Sequence, residues 1–273
     1  MGRVTSRHKV VRIDLDGETT RSIDTVAGEE PLEVRVNGTT FTVTMRTPGH
    51  DIDLAHGLLR AEGVIARRED VVTARFCSDL DTLNVLNLEV PGRSDELAVT
   101  STRNLASLGG CGLCGTTAVD AVDAVMSRPP PEVVWEADVV ADALEELRSR
   151  QTVFDKTGGA HGAGLAPAPG GVGAARLLAI VREDIGRHNA VDKVLGAALV
   201  TGVATEGGLL VVSSRASFEI VQKAAVSGIA VLACVSAPSS LAIEAADRLG
   251  VTLVAFARDR RMSVYTHPHR IPH

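Results

Sequence analysis

The chain has 273 residues, 45% of them hydrophobic and 23% charged, with a formal charge of −6. That length can bury a sizeable core in one large or two modest domains, and the acidic balance argues against a general nucleic-acid binder without excluding a local basic site. No apolar run approaches the ~18 residues of a membrane span. Four cysteines are too few for a disulfide scaffold and suggest a reducing, cytoplasmic setting.

The first hundred residues favour strands and turns. Residues 32–45 alternate on both sides of Asn37-Gly38, which predicts a hairpin. A short helix is expected over 53–62, stopped by Gly63, and two further strands near 71–77 and 83–90. Next comes Gly109-Gly110-Cys111-Gly112-Leu113-Cys114-Gly115, two thiols three apart among glycines. Each glycine costs backbone entropy to fix, so the run reads as a flexible arm carrying a reactive dithiol. A helix is expected to start at Thr116-Thr117, and its N-terminal partial charge favours a nearby thiolate. Pro129-Pro130-Pro131 ends that helix and marks an internal boundary. Expected units are an N-terminal β-rich subdomain over 1–104, the Cys-x-x-Cys arm and its helix over 105–131, and an α/β domain over 132–273.

The last hundred residues have another rhythm. Short apolar strands are expected over 177–181, 209–213, 229–235 and 251–257, alternating with helices over 190–199, 218–226 and 241–249. This order implies a mainly parallel sheet covered on both faces. Polar clusters follow the strands: 182–189 with Arg182, Arg187 and His188, 213–217 with Arg215 and Ser217, 236–240, and 258–261 with Arg258, Asp259, Arg260 and Arg261. In open α/β sheets ligands bind outside the strand carboxyl ends, where helix N-termini attract anions. Arginines and serines there suit a ligand with several phosphates. No Gly-x-Gly-x-x-Gly follows a strand and no Walker loop occurs, which argues against the common nucleotide folds. The glycine-rich run 157–164 either brings His161 to a ligand or is a turn. Cys77 and Cys234 are expected in the core. The histidines of residues 265–273 hint at metal, but a solvated tail is the expected state.

A mobile dithiol fits a sulfur carrier, a redox site, or half a metal site. A thioredoxin-like site needs a rigid turn in a small βαβ fold, and structural zinc needs two further ligands.

Several segments, in order, together resemble the formate dehydrogenase accessory sulfurtransferases, the FdhD family. They are Glu29-Glu30-Pro31-Leu32 with Val36-Asn37-Gly38, Met45-Arg46-Thr47-Pro48-Gly49, the Cys111–Cys114 run, Thr157-Gly158-Gly159-Ala160-His161, residues 182–193, Arg215-Ala216-Ser217, Ser236-Ala237-Pro238-Ser239, and Phe256-Ala257-Arg258. The resemblance implies an α/β fold, a cytidine-deaminase-like α/β/α sandwich with a smaller N-terminal β-rich α+β subdomain. It implies transfer of sulfur as a Cys111 persulfide, with Cys114 as partner thiol, from a cysteine desulfurase to molybdenum bis(molybdopterin guanine dinucleotide). Formate dehydrogenase then receives that cofactor. Residues 256–261 would bind it, joined by Arg182, His188, Arg215, Ser217 and His161, with no metal of the protein's own. A cytoplasmic homodimer is expected. The deaminase His-x-Glu and Pro-Cys-x-x-Cys signature is missing, so deamination is not expected. Three alternatives stay open: a non-catalytic cofactor-binding chaperone, a dithiol oxidoreductase and a zinc-binding module.

Overall fold

The computed structural model describes residues 2–77, 83–92, 129–169 and 177–272. Cys111, Cys114, the glycines around them, the helix expected after Thr116 and the boundary at 104/105 lie outside the described residues.

The described strands form three sheets. The first is a two-stranded antiparallel ribbon of β1 (Thr5–Arg12) and β2 (Thr20–Ala27). The second has four strands in the order β4-β3-β6-β5, made of β3 (Glu30–Val36), β4 (Thr39–Arg46), β5 (Thr73–Phe76) and β6 (Val85–Glu89). The predicted hairpin is β3–β4, turned through Asn37 (φ 50°) and Gly38 (φ 83°), the left-handed pair a two-residue turn needs. Alternation buries Leu32, Val34 and Val36 against Leu54 and Leu59 of helix α1 (Asp51–Ala61) and against Leu86 and Leu88 of β6.

The third sheet has six strands in the order β12-β11-β10-β9-β7-β8. Its members are β7 (His161–Ala166), β8 (Ile180–Asp184), β9 (Leu209–Val212), β10 (Val231–Cys234), β11 (Thr252–Arg258) and β12 (Arg261–Val264). The expected mainly parallel sheet is mixed: β9, β10 and β11 pair in parallel, whereas β7 and β12 run against their neighbours. The strand β7 looks like a turn in sequence because Gly162 and Gly164 break its apolar pattern. Close packing explains them: a methyl on Gly162 would lie 2.8 Å from the Gln151 side chain, and one on Gly164 2.8 Å from Leu178.

Alternate residues of β9 face two cores. Leu210 and Val212 join the side covered by helices α4 (Arg187–Thr201), α5 (Phe218–Val226) and α6 (Ser240–Arg248). Leu209 and Val211 join the side covered by α2 (Ala137–Ser149), with Trp135 and Ile271. A one-and-a-half-turn helix, α3 (Thr152–Thr157), follows α2. The C-terminal segment is not a solvated tail. Arg270 is buried, donates to Glu132 and the Gly250 carbonyl, and its own carbonyl accepts from Trp135 N–H. Thr266 and Ile271 are buried beside it. Of the two expected core cysteines, Cys234 is buried and Cys77 only partly so, because it sits just past the edge strand β5.

The helices α1 and α4 join the second and third sheets at a crossing of backbone on backbone. A Cβ on Gly57 would meet the Asp192 carbonyl at 2.0 Å, and one on Gly196 the Asp53 carbonyl at 1.8 Å. Around this crossing lie buried charges, each paired. Asp184 bonds Lys193 at 2.6 Å and accepts from Thr47 N–H, and Lys193 also donates to the Thr47 carbonyl. Arg46 bonds Asp51 through Nε and Nη2 at 2.9 and 3.3 Å. Asn189 donates to the Met45 carbonyl and to Asp184.

Candidate functional site

Strands β8 to β11 share one direction, so the segments after them meet at a single edge, together with the start of antiparallel β7. The sheet divides this edge in two. On the α2 side is a cavity of about 550 Å³, walled by Leu144, Phe154, Gly159 and Val235. Six residues singled out in the sequence line it: His161, Ala257, Arg258, Asp259, Arg260 and Arg261. Phe256, Arg182, His188, Arg215 and Ser217 do not.

The 256–261 segment has an irregular backbone. The β11–β12 register shifts between Ala255 and Arg258, and Phe256, Asp259 and Arg260 all have φ between 52° and 55°. Such left-handed conformations cost energy in non-glycine residues and cluster at ligand sites. Arg258 and Arg261 are exposed, and their side chains have no hydrogen-bond or ion-pair partner among the described residues. Arg260 differs: it donates to Asp142 at 3.0 Å and Asp138 at 2.5 Å on α2. Two free guanidiniums at the mouth of an apolar-walled cavity suit an anionic group on a flat ring system.

On the opposite side, at the starts of α4 and α5, His188 Nε2 lies 3.0 Å from both Ser217 Oγ and Glu219 Oε2. Burial pushes the His188 pKa down to about 4 despite Glu219, and burial together with nearby Arg187 lowers that of His161. Both imidazoles are therefore neutral near pH 7. Arg187 Nε is buried without a partner, and exposed Arg215 has no side-chain partner among the described residues. Arg182, expected at phosphates, is occupied: its Nε and Nη2 both donate to Asp53 at 3.0 Å.

Sequence reasoning missed the whole α2–α3 wall, including Glu145, Arg148 and Phe154, with the Arg148 guanidinium 4.9 Å above the Phe154 ring. Val140, Leu144 and Leu147, at helical spacing, were the available signal. A second cavity, about 630 Å³, lies at the far end of α4 and holds none of the expected residues.

A mixed α/β sheet with a cavity of about 550 Å³ beyond its strand carboxyl ends defines the class: an α/β protein with a candidate ligand cavity at its sheet edge. The chain belongs to the FdhD/NarQ family, whose model matches residues 27–272. It is 51% identical over 282 residues to a sulfur carrier protein FdhD of Nocardia farcinica, covering 99% of this chain and 96% of that one. It is 46% identical to the protein of that name from Mycobacterium tuberculosis, covering 99% and 100%. A solved structure described as a formate dehydrogenase accessory protein from Desulfotalea psychrophila has the same fold. Its TM-score is 0.77 at 24% identity, covering 99% of this chain and 100% of that one.

Proposed function

We propose that this protein is a sulfur carrier serving formate dehydrogenase. The observation that carries the reading is the arginine-rimmed cavity in a chain of this family, lined by residues 257–261 of the segment that the family resemblance marks for cofactor binding. The names of the relatives support sulfur carriage and the link to formate dehydrogenase.

The Cys111 thiolate attacks the outer sulfur of a cysteine desulfurase persulfide. The donor S–S bond breaks, the desulfurase thiolate leaves, and the sulfur stays on Cys111. The acceptor is molybdenum bis(molybdopterin guanine dinucleotide), bound as cargo. A cavity of about 550 Å³ fits one nucleotide end of it, with Arg258 and Arg261 toward phosphate and the apolar wall toward the base. His161 completes the cavity wall. If the Cys114 thiolate attacks Cys111 Sγ, the Sγ–S bond breaks, hydrosulfide leaves and a Cys111–Cys114 disulfide remains, which a cellular dithiol then reduces. His188, Ser217 and Arg215 extend the reading to a second phosphate position across the sheet.

The same reading treats the six-stranded sheet as a deaminase-like sandwich, supported by the strand order 8-7-9-10-11 with antiparallel β7. It keeps the division 1–104, 105–131 and 132–273, a homodimer, and cytoplasmic residence.

The test is mass spectrometry after incubation with a cysteine desulfurase and cysteine. A reductant-sensitive gain of about 32 Da on the Cys111 peptide is expected, lost in Cys111→Ala together with formate dehydrogenase maturation. Full maturation by Cys111→Ala would instead leave a cofactor-binding chaperone.

A further inference from the structure

The structure assigns the β1–β2 ribbon as the docking element for the enzyme that receives the cofactor, through a surface pairing carboxylates with apolar side chains. This rests on the sulfur-carrier reading.

The ribbon is a sheet of its own, and among the described residues no other strand pairs with either of its outer edges. An isolated two-stranded ribbon has too little core to justify its length by stability alone. Six of the fourteen exposed large hydrophobic residues in the described structure lie between Val4 and Val26. The strand register sorts the ribbon into two unlike faces. On one, Arg12 donates to Ser22 and pairs with Asp24, and Ser6 meets His8, so its polar groups largely satisfy one another. On the other lie Arg7, Lys9, Val11, Arg21 and Ile23, all exposed. That face carries no carboxylate, and its three cations have no side-chain partner among the described residues. Val11 and Ile23 are each 56% exposed between them.

Charge selects the class of partner. At the ribbon tip, exposed Ile13 and Leu15 are interleaved with Asp14, Asp16 and Glu18. Those carboxylates, on a chain of charge −6, repel a phosphodiester backbone or an anionic bilayer laid along the whole ribbon. A protein surface can place carboxylates opposite Arg7, Lys9 and Arg21 while avoiding the tip. Position selects which partner. Ala27, at the base of the basic face, sits beside Gly159: a methyl there would be 3.6 Å from the Ala27 Cβ. Gly159 lines the cavity. A sulfur donor needs to reach only Cys111, whereas the enzyme taking the cargo must face the cavity mouth.

The experiment is a binding titration of the full-length protein against apo formate dehydrogenase at low and moderate salt. A triple variant, Arg7→Glu, Lys9→Glu and Arg21→Glu, is expected to bind at least tenfold more weakly and to lose most of the salt dependence. Its melting temperature and persulfide loading on Cys111 should stay as in the wild type. The triple glutamine variant, which cannot repel within the ribbon, should fall between the two. Binding of the dehydrogenase by both variants at wild-type strength overturns the assignment. Loss of desulfurase binding instead, or wild-type affinity as high for RNA or phosphatidylserine vesicles, also overturns it. Absence of the persulfide from the wild type removes the sulfur-carrier reading on its own, and the titration still reads the ribbon.

Discussion

Two charged regions of this molecule look alike in sequence and behave oppositely in structure. Around the α1–α4 crossing, Arg46, Asp51, Asp184 and Lys193 are almost fully buried, and each is paired. At the sheet edge, Arg258 and Arg261 are exposed and have no side-chain partner among the described residues, on a backbone with three left-handed residues. Burying a charge costs several kcal/mol unless partners surround it. Charges at the crossing therefore have no capacity left for a ligand, and those at the edge retain theirs. The motif residues 182–193 belong mostly to the first kind.

The largest effect should come from breaking the crossing. Lys193→Ala leaves Asp184 buried without its counter-charge and should cost about 3–5 kcal/mol, read as a lower urea midpoint. An unchanged midpoint would show that water replaces the ammonium. The edge should respond in binding instead. Arg258→Ala with Arg261→Ala should weaken GDP binding, taken as a probe of one cofactor end, by tenfold or more, since a charged hydrogen bond contributes about 1.5–3 kcal/mol. Its melting temperature should hold. Arg182→Ala sharpens the contrast: stability should fall as Asp53 loses its guanidinium partner and keeps only His50, with GDP affinity kept.

The smallest effect is in pH. His188 titrates near 4 in the folded chain, below the ordinary histidine value, so the unfolded chain binds more protons between about 4 and 6.5. Stability contributed by neutral His188 is complete above that window and is lost as pH falls through it. Buried Asp192, raised to about 6, works in the opposite direction. The wild-type decline minus that of His188→Gln isolates the histidine. Equal declines in the two proteins would remove it as the source.

Much of the fold was legible because its cores are periodic. The strands β9, β10 and β11 and the helices between them stand where apolar runs and helical spacing put them. The Asn37-Gly38 turn is equally local. What escaped depends on neighbours remote in sequence. β7 is small because Gln151 and Leu178 fill its space, and the C-terminal segment is ordered because Glu132 holds Arg270. At the candidate site, residues 258–261 and His161 lie together as the strand-end rule suggests. Arg182 was misleading for one reason: its partner, Asp53, comes from a helix more than a hundred residues earlier.

Cys234 has a consequence for chemistry done on the intact protein. Fully buried and with its thiol pushed up to about 11 by burial, it is almost wholly protonated at neutral pH and shielded from reagents. On the sulfur-carrier reading, that silence is useful. Alkylation before denaturation passes over Cys234, and alkylation after it adds Cys234 as an internal standard.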